Sequence, residues 1–465
     1  MNRRSTREIL KQEINTVALK KNARFKVALI YPNRYYLGMS NLGIHAVYGL
    51  LNKRDDTVCE RFFYEGQKQF LSLENASPLN SFDILAFSIS YELDYFNALA
   101  FLRDAGISFP ARECRVMPFI IVGGMVNGFN FLPLSGVSDA LFLGEAEQSL
   151  TAFMDSLSAF SHVDTIAKKK LFLSEVSRHK GIFVPGISKA DEVKPCFIED
   201  LDEYPTSTKI ITAATEFSDT FLVEISRGCA RGCRFCVTGA VCAKFRSRTT
   251  DVLFDEIERG LQYTSKIGLV GAAVSDYPCM EPLLRFLNKK KAMISVSSLR
   301  METVSADLLG ALARSGQRTV TFAPETGSDE LRYAINKRIS NIEIMEKIKL
   351  AKECGIKKLK LYFMIGLPRE QEKDINAIID LAKAARDILP LRVNVGIFVP
   401  KPKTPFAKEP FADKRVLNSR LKFLKQKLIA EKNITLNTAS IPEASKEAKL
   451  AFSDATFLDN YFKII

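Results

Sequence analysis

The sequence predicts an α/β protein with two successive parallel sheets and a small helical tail. Short apolar, β-branched runs alternate with amphipathic helical patterns along most of the 465 residues. This alternation is typical of parallel sheets that carry helices on both faces. A less regular stretch at residues 165–215 divides the alternation into two series, so we expect two domains joined by a linker.

The first series predicts a five-stranded open parallel sheet of flavodoxin-like type in residues 1–164. A basic helix precedes it, and Ser40 and Asn41 offer N-caps for the helix after the first strand. In such a sheet a ligand is expected at the carboxyl ends of the strands. The five predicted strands are KVALIYP at 26–32, DTVCERFFYE at 56–65, DILAFSIS at 83–90, PFIIVGG at 118–124 and DALFLGEAE at 139–147.

The second series predicts a partial barrel of six βα units, a (β/α)6 arrangement, in residues 216–411. Its active site should lie at the carboxyl ends of the strands. Residues 412–465 are predicted to form a helical C-terminal extension that ends irregularly. The six predicted strands are FLVEIS at 221–226, GLVGAAVS at 268–275, ISVSSLR at 294–300, RTVTFAP at 318–324, KLKLYFMIG at 358–366 and RVNVGIFVP at 392–400.

Composition and charge are those of a globular chain without a membrane segment. No run of about 18 apolar residues is present, and the basic N-terminus lacks the apolar core of a signal peptide, so we expect a cytoplasmic protein. The net charge of +13 would suit the binding of nucleic acid. Because the lysines lie in helical patterns without interleaved aromatic residues, we interpret them as solvated helix faces and expect no nucleic-acid partner.

Three of the nine cysteines, Cys229, Cys233 and Cys236, are crowded into eight residues with the spacing C-x3-C-x2-C, directly after a predicted strand. Thiolates are the ligands that hold iron–sulfur clusters. Three of them on one loop would ligate three irons of a cubane and leave the fourth iron open. Gly228 and Gly232 would let the loop curl around the cluster. Structural zinc usually takes four ligands in two pairs, and no disulfide framework is evident, so these alternatives are weaker.

The motif C-x3-C-x-aromatic-C, with Phe235 at the aromatic position, resembles the radical S-adenosylmethionine (SAM) superfamily. The resemblance spans about residues 195–410 and includes the phrase DLDEYP. It implies a 4Fe–4S cluster whose open iron binds the amino and carboxylate groups of SAM. Reductive cleavage would give methionine and a 5′-deoxyadenosyl radical, which abstracts hydrogen from a substrate that the motifs do not name. A reductant protein such as flavodoxin or ferredoxin is implied as well.

The resemblance also implies contacts to SAM after two successive strands. Gly271 and Ala272 resemble the glycine-rich edge that receives the methionine amino group, although the family's terminal glutamate is missing and Asp276 stands nearby. Ser298 and Arg300 end the next strand. Arg300 would pair with the SAM carboxylate, or would be an ordinary surface arginine.

Two further stretches resemble family motifs. Glu325 lies in a turn with the sequence PETGS. Its carboxylate would accept hydrogen bonds from the ribose hydroxyls of SAM, or would stabilise the N-terminus of a helix. Ile365 and Gly366 resemble the loop that lies along the adenine, with Arg369 where the family often has glycine. The segment Val399–Phe406 resembles the FVPKPxTPF exit from the last strand of one subfamily, and it is equally a stiff proline-rich exit.

The first domain resembles the cobalamin-binding domain that precedes many radical SAM domains, by Gly123-Gly124 and by residues 144–147, GEAE. Domains that supply a histidine to cobalt carry D-x-H-x-x-G after the first strand. Here Asn33 and Tyr35 stand at the aspartate and histidine positions, so we do not expect histidine ligation. Cobalamin bound without a protein ligand and a vestigial domain both remain open.

The sequence therefore predicts a radical SAM enzyme with three functions left open. These are cobalamin-dependent methylation of an unactivated carbon, cobalamin-independent rearrangement or thiolation, and a non-catalytic iron–sulfur redox sensor. Thiolation would need a second cluster, and the six scattered cysteines form no second cradle. A sensor needs no SAM pocket, so the set of barrel motifs argues against it.

Overall fold

The computed structural model describes residues 3–107, 115–160, 162–242 and 244–458. The chain divides into two compact units, each of which contains parallel β-sheet, and it is the α/β protein that the sequence predicts. No helix in the described ranges is long and apolar enough to cross a membrane. The first unit comprises Met1–Asp200, Thr206–Thr220 and Phe452–Ile465, and the second comprises Leu201–Pro205 and Phe221–Ala451.

The first unit contains a six-stranded sheet. Each of the five strands predicted from the sequence is present, and these five are parallel with the spatial order 2-1-3-4-5. A short sixth strand pairs antiparallel with the fifth, and two further two-residue strands pair with each other outside the sheet. The strands of this unit are β1 Ile14–Asn15, β2 Phe25–Tyr31, β3 Thr57–Phe63, β4 Ile84–Ser88, β5 Phe119–Gly123, β6 Ala140–Phe142, β7 Ile182–Phe183 and β8 Ile210–Ile211.

Helices cover both faces of this sheet. On one face, Phe153 and Phe172 from two helices join a continuous apolar core that includes Ala86 of β4. Phe87, the next residue in the strand, points to the opposite face, where its ring meets that of Phe101 edge-on with centroids 5.6 Å apart. The helices of this unit are α1 Arg3–Gln12, α2 Tyr35–Met39, α3 Leu42–Lys53, α4 Asp94–Asp104, α5 Ala146–Ala159 and α6 Ile166–Val176.

The predicted linker at 165–215 is largely part of the first unit. Residues up to Asp200 and from Thr206 onward belong to it. The reason is apolar burial: Phe172 of α6 is 0% exposed and its ring contacts those of Phe119 and Phe153 at 5.2 Å. The sequence pattern did not predict this helix, because four of its eleven residues, IAKKKLFLSEV, are charged.

The second unit contains seven parallel strands in two sheets. One sheet has three strands and the other has four, and no hydrogen-bonded pairing joins β13 to β14 in the described residues. An antiparallel pair, β10 and β11, flanks the end of the first strand. The strands of this unit are β9 Phe221–Glu224, β10 Ser226–Arg227, β11 Arg246–Ser247, β12 Lys266–Val270, β13 Met293–Ser295, β14 Thr319–Glu325, β15 Lys358–Ile365, β16 Leu391–Ile397 and β17 Ile434–Thr438.

Helices alternate with these parallel strands in the chain. In β15 the buried residues alternate with half-buried or exposed ones, so the apolar residues of this strand point to one face of the sheet. The helices of this unit are α7 Val237–Val241, α8 Thr250–Leu261, α9 Met280–Lys289, α10 Ala306–Arg314, α11 Asp329–Ala334, α12 Asn341–Glu353, α13 Glu372–Ile388, α14 Lys414–Leu428 and α15 Ile441–Ala451.

The C-terminal extension, predicted to be helical at 412–465, also contains a strand. Its helices α14 and α15 flank β17, which pairs in parallel with β16 from Leu391↔Ile434 to Val395↔Thr438. The extension therefore contains helices, as predicted, and also a strand that was not predicted. The β17 sequence ITLNT is short and polar, and its residues are half-buried or exposed at the sheet edge, so it lacks the apolar run by which the other strands were recognised.

His45 on α3 serves the packing of the first unit. Its side chain is 2% exposed. The Nδ1 atom accepts a hydrogen bond from the Lys209 backbone N–H at 3.1 Å, and Nε2 donates to the Met39 carbonyl at 3.1 Å. Burial lowers the pKa of His45 from 6.5 to about 4, so the ring stays neutral in the folded protein near neutral pH.

The depressed pKa of His45 predicts a loss of stability in mild acid. Because the unfolded chain binds the proton more tightly, the contribution of the neutral ring is present above pH 6.5 and is lost as the pH falls toward 4. We expect the unfolding free energy of the native chain to fall by about 3 kcal/mol more than that of a His45→Gln variant over this interval. Denaturant unfolding at closely spaced pH values measures the difference, and parallel pH profiles would contradict the prediction.

Candidate active site

The three clustered cysteines lie on an irregular loop between β10 and α7, at the carboxyl end of the first parallel strand of the second unit. Cys233 is buried, whereas Cys229 and Cys236 are partly exposed, and all three thiols are free. Gly228 and Gly232 have φ values of 77° and 65°, a backbone region that other residues adopt only with strain. The two glycines thus produce the curl predicted for this loop.

A carboxylate on the neighbouring strand end holds one side of the cysteine loop. The Asp276 carboxylate accepts two hydrogen bonds of 2.9 Å from the Arg231 guanidinium and one of 2.6 Å from the Thr303 hydroxyl. Burial raises the pKa of Asp276, but the bonds from Arg231 and Thr303 outweigh it and lower the pKa below 3.8. A permanent carboxylate therefore fixes the loop in a bidentate pair, the most directional kind of ion pair.

Phe235 anchors the other end of the loop by apolar contact. It packs against a small core that includes Ile335, Phe398 and Phe406. The neighbouring Arg234 carbonyl accepts a 3.2 Å hydrogen bond from the Phe406 N–H. Phe235, the aromatic residue of the motif, is thus held in part by the proline-rich segment after β16.

The buried thiol lies among positive charges. Burial raises the pKa of Cys233 above 9.0, whereas the charges of Lys337 and Arg300 oppose this shift. Positive charge beside a thiol favours its thiolate, the form that binds metal. The sequence motifs predicted Arg300 but not Lys337, which lies nine residues after the PETGS turn and belongs to no motif.

Two pairs of residues predicted to contact SAM follow strands β12 and β13, namely Gly271 with Ala272 and Ser298 with Arg300. Gly271 is packed so closely that an added Cβ would lie 2.6 Å from the Ser226 Oγ; Ala272 is exposed, as is Ser298. Arg300 is not a free surface arginine, because its guanidinium pairs with Glu302 at 2.5 Å. The Arg300 Nε atom is buried and makes no hydrogen bond, although it lies 3.9 Å from the Asp276 carboxylate.

Glu325 occupies a strained position at the end of β14. It has φ of 69°, and the pairing with β15 shifts register between Phe322 and Glu325. Its carboxylate lies 3.4 Å from the Lys337 Nζ, and burial raises its pKa despite that charge. It does not cap α11, because Ser328 does so by accepting from the Leu331 N–H. The capping alternative is therefore wrong.

The loop after β15 contains two residues with the positive φ values that are typical of glycine. Ile365 is 0% exposed and belongs to the sheet interior, whereas Gly366 has φ of 81° and Arg369 has φ of 67°. The Glu370 carboxylate accepts a hydrogen bond from the Leu367 N–H at 3.1 Å and closes the loop. Arg369 therefore keeps the glycine-like backbone at a position where the family often has glycine.

The first unit presents a different picture at the carboxyl ends of its strands. Tyr35 is 3% exposed and donates to the Glu13 carboxylate at 2.5 Å, so its hydroxyl is already engaged within the protein. Asn33 donates to the Asp94 carboxylate at 2.8 Å. An added Cβ on Gly124 would lie 2.1 Å from the Ile89 carbonyl oxygen, so this glycine is required by contact with the protein's own backbone.

The cysteine donor set fits a cluster better than a single ion. In the described residues no three His, Cys, Asp or Glu side chains converge closely enough to hold one metal ion. A cubane does not require convergence, because each thiolate binds a different iron at a different corner. Three soft donors on one loop, with Lys337 and Arg300 beside the innermost, match the needs of such a cluster.

Models of two known families match two parts of the chain. A model described as "Radical SAM proteins, N-terminal" matches residues 43–185, and a model described as "Radical SAM superfamily" matches residues 223–382. An uncharacterized protein of Methanocaldococcus jannaschii is 32% identical over 391 residues, which are 82% of this chain and 79% of that protein.

Two more distant similarities concern named proteins. A putative methylthiotransferase of M. jannaschii is 28% identical over 164 residues, 33% of this chain and 36% of its own length. The solved structure of OxsB, a cobalamin-dependent S-adenosylmethionine radical enzyme with aqua-cobalamin bound, matches with a TM-score of 0.53 and 13% identity. That match covers 90% of this chain and 58% of OxsB, and at this identity it shows a shared fold alone.

The left-handed backbone of Arg369 predicts an unusual response to substitution. The exposed side chain is placed on a conformation that costs about 1–2 kcal/mol for residues with a Cβ. Relief of that strain in Arg369→Gly is offset by the greater freedom of glycine in the unfolded chain, so we expect the unfolding free energy to change by less than about 1 kcal/mol.

Arg369→Val should instead destabilise the chain by at least about 1 kcal/mol, because β-branched residues are outliers at positive φ. Arg392→Val is the matched control, since Arg392 is exposed in extended backbone within β16, where valine is favoured. Denaturant unfolding compares the three variants. Equal effects of valine at both positions would contradict the assignment.

Proposed function

This chain belongs to the radical SAM superfamily and is an enzyme of that class, and from this we propose that Cys229, Cys233 and Cys236 hold its 4Fe–4S cluster. The family implies this cluster and SAM as cofactors. When bound, such a cluster would supply the one electron for the reductive cleavage of SAM to methionine and a 5′-deoxyadenosyl radical. The observation that carries the proposal is the cysteine loop at the carboxyl end of β9, fixed by the Arg231–Asp276 pair.

We further propose that SAM lies across the strand ends next to this loop. The Nε of Arg300, which makes no hydrogen bond, would donate to the SAM carboxylate. Gly271 and Ala272 would receive the SAM amino group, and the half-buried Glu325 would accept hydrogen bonds from the ribose hydroxyls. A buried donor that makes no hydrogen bond favours a ligand, because burying a donor with its hydrogen bond unformed costs free energy. The remaining proposed contacts are Phe235, Ser298, Ile365 and Gly366; the complete burial of Ile365 limits its part to the backbone.

The substrate reaction that we favour is cobalamin-dependent methylation, with the first unit as the cobalamin-binding-like domain. Its strand order 2-1-3-4-5 is that of flavodoxin-like sheets, in which ligands lie at the carboxyl ends. Large apolar side chains are exposed on the segments that follow β2 and β5, among them Leu37 on α2 and Met125, at 45% each. Such a rim suits the face of a macrocycle. Tyr35 does not reach this rim, so cobalt would have no ligand from the protein there.

Thiolation is the second candidate, favoured by the similarity to the putative methylthiotransferase. The described cysteines outside the loop are Cys59, Cys196, Cys242, Cys279 and Cys354, and they lie in widely separated segments of the sequence. Either reaction needs a reductant, for which we propose flavodoxin or ferredoxin, and we propose the cytoplasm as its compartment because free thiols persist there.

Anaerobic reconstitution with iron and sulfide tests the cluster. We expect a 4Fe–4S spectrum that changes on addition of SAM, and formation of 5′-deoxyadenosine under reduction. A Cys229→Ala, Cys233→Ala, Cys236→Ala triple variant should lose both, whereas the control Cys279→Ala, on an exposed residue, should retain them. A cluster that survives the triple substitution would refute the site, and a cluster without 5′-deoxyadenosine would favour the redox sensor.

Uptake of hydroxocobalamin tests the choice between the two reactions. We expect the reconstituted protein to retain corrinoid after desalting, measured by its visible absorption. Tyr35→Phe should retain as much, because the Tyr35 hydroxyl is bonded to Glu13 and buried. Absence of corrinoid would overturn cobalamin-dependent methylation in favour of a cobalamin-independent reaction, and loss of corrinoid only in Tyr35→Phe would refute the placement of the ligand on the rim.

A further inference from the structure

A buried arginine organises the turn that follows β14. Arg332 of α11 is 0% exposed, and its five N–H groups are directed into the turn. The guanidinium pairs with the Asp329 carboxylate at 2.6 Å. Its other acceptors are the carbonyls of Pro324 at 3.2 Å, Thr326 at 2.6 Å, Gly327 at 3.3 Å and Ile339 at 3.0 Å, and the Asn341 Oδ1 at 2.8 Å.

This arrangement presents the end of α11 to the cysteine loop. Asn336 has φ of 58°, and its Nδ2 donates to the carbonyls of Arg231 at 3.1 Å and Gly232 at 2.8 Å. The Ile335 carbonyl accepts from the Arg234 N–H at 3.0 Å. These bonds hold the backbone of the cysteine loop on both sides of Cys233.

The next residue places a buried charge beside that cysteine. Lys337 is 8% exposed, and its Nζ lies 3.4 Å from the Glu325 carboxylate. Lys337 directly follows Asn336, whose Nδ2 donates to the carbonyl of Gly232, the residue before Cys233, so its ammonium belongs to the segment that contacts the cysteine loop. A charge removed from water is screened little by salt, so its effect on a neighbour is far greater than that of an exposed lysine.

We propose that the turn from Glu325 to Asn341 forms a second wall of the cluster site, in which Asn336 is a positioning residue for the cysteine loop and Lys337 sets the reduction potential of the cluster. This rests on the proposed cluster at Cys229, Cys233 and Cys236. Reduction adds negative charge beside the buried ammonium, which stabilises the reduced form. Loss of the ammonium therefore lowers the potential and makes the cluster harder to reduce.

The test is a redox titration of the reconstituted full chain, followed by electron paramagnetic resonance. Lys337→Met should lower the ratio of reduced to oxidised cluster at a fixed potential at least tenfold, which for one electron is a shift of about 59 mV. Lys337→Arg should restore the native ratio. Lys349→Met is the matched control, because Lys349 is exposed on α12 and removes the same net charge; it should change nothing.

The positioning role has its own measurement. Asn336→Gly keeps the left-handed backbone available but removes both donors to the loop, so we expect at least a threefold loss of iron and sulfide retained per chain. Circular dichroism checks that each variant is folded, and Lys337→Gln replaces Lys337→Met if the latter is not.

The outcomes separate this inference from the function on which it rests. If the native chain assembles no cluster, the proposed function fails. If the native chain assembles one, and the folded variants that replace Lys337 by a neutral residue keep its potential, Lys337 does not set that potential. Full iron retention in Asn336→Gly would overturn the role of Asn336 in the same way.

Discussion

The fixation of one irregular loop is the constraint on which the site depends. Between β10 and α7 the cysteine loop forms no helix or strand. Its own backbone contributes a turn bond from the Cys236 N–H to the Cys233 carbonyl, and contacts with neighbouring segments hold the rest. Asp276 holds it by an ion pair, Asn336 by hydrogen bonds to its carbonyls, and Phe406 by a backbone bond and ring packing. These three contacts come from segments that follow three different strands, β12, β14 and β16. The fold thus supplies a rigidity that a short glycine-containing loop lacks.

Backbone strain is concentrated around the same strand ends. Four residues with a Cβ and positive φ, Glu325, Asn336, Arg369 and Lys403, follow or end three consecutive strands of the second unit. Each such conformation costs of the order of 1 kcal/mol and persists only where its surroundings fix it. Around Glu325 and Asn336 those surroundings are the hydrogen bonds of Arg332. The buried hydrogen-bond network of Arg332 thus maintains the positive φ values, which residues with a Cβ disfavour. Such strain is common where a fold positions reacting groups.

The sequence predicted the elements whose signal is local. The cysteine loop and the strand positions follow from spacing and apolar runs, which need no knowledge of distant residues. Lys337 and Asp276 could not be found as neighbours of the loop, because they are 104 residues after Cys233 and 40 residues after Cys236 in the numbering and are brought close only by the sheet. The polar strand β17 escaped for the same reason, since pairing with β16 and not its composition defines it.

Glycines in the two units show why a motif must be traced to its physical cause. Gly124 and Gly144 were grouped with a ligand-binding pattern, but added Cβ atoms there would lie 2.1 Å from the Ile89 and Cys196 carbonyl oxygens, respectively. These contacts would require glycine whether or not a ligand binds. At Gly232, by contrast, the nearest atom to an added Cβ is the Asn336 Nδ2 at 3.5 Å, an ordinary distance, so positive φ rather than crowding requires glycine. The curl and the donors of the cysteine loop therefore support the proposed ligand of the second unit. In the first unit the exposed apolar rim supports a ligand, whereas the glycines do not.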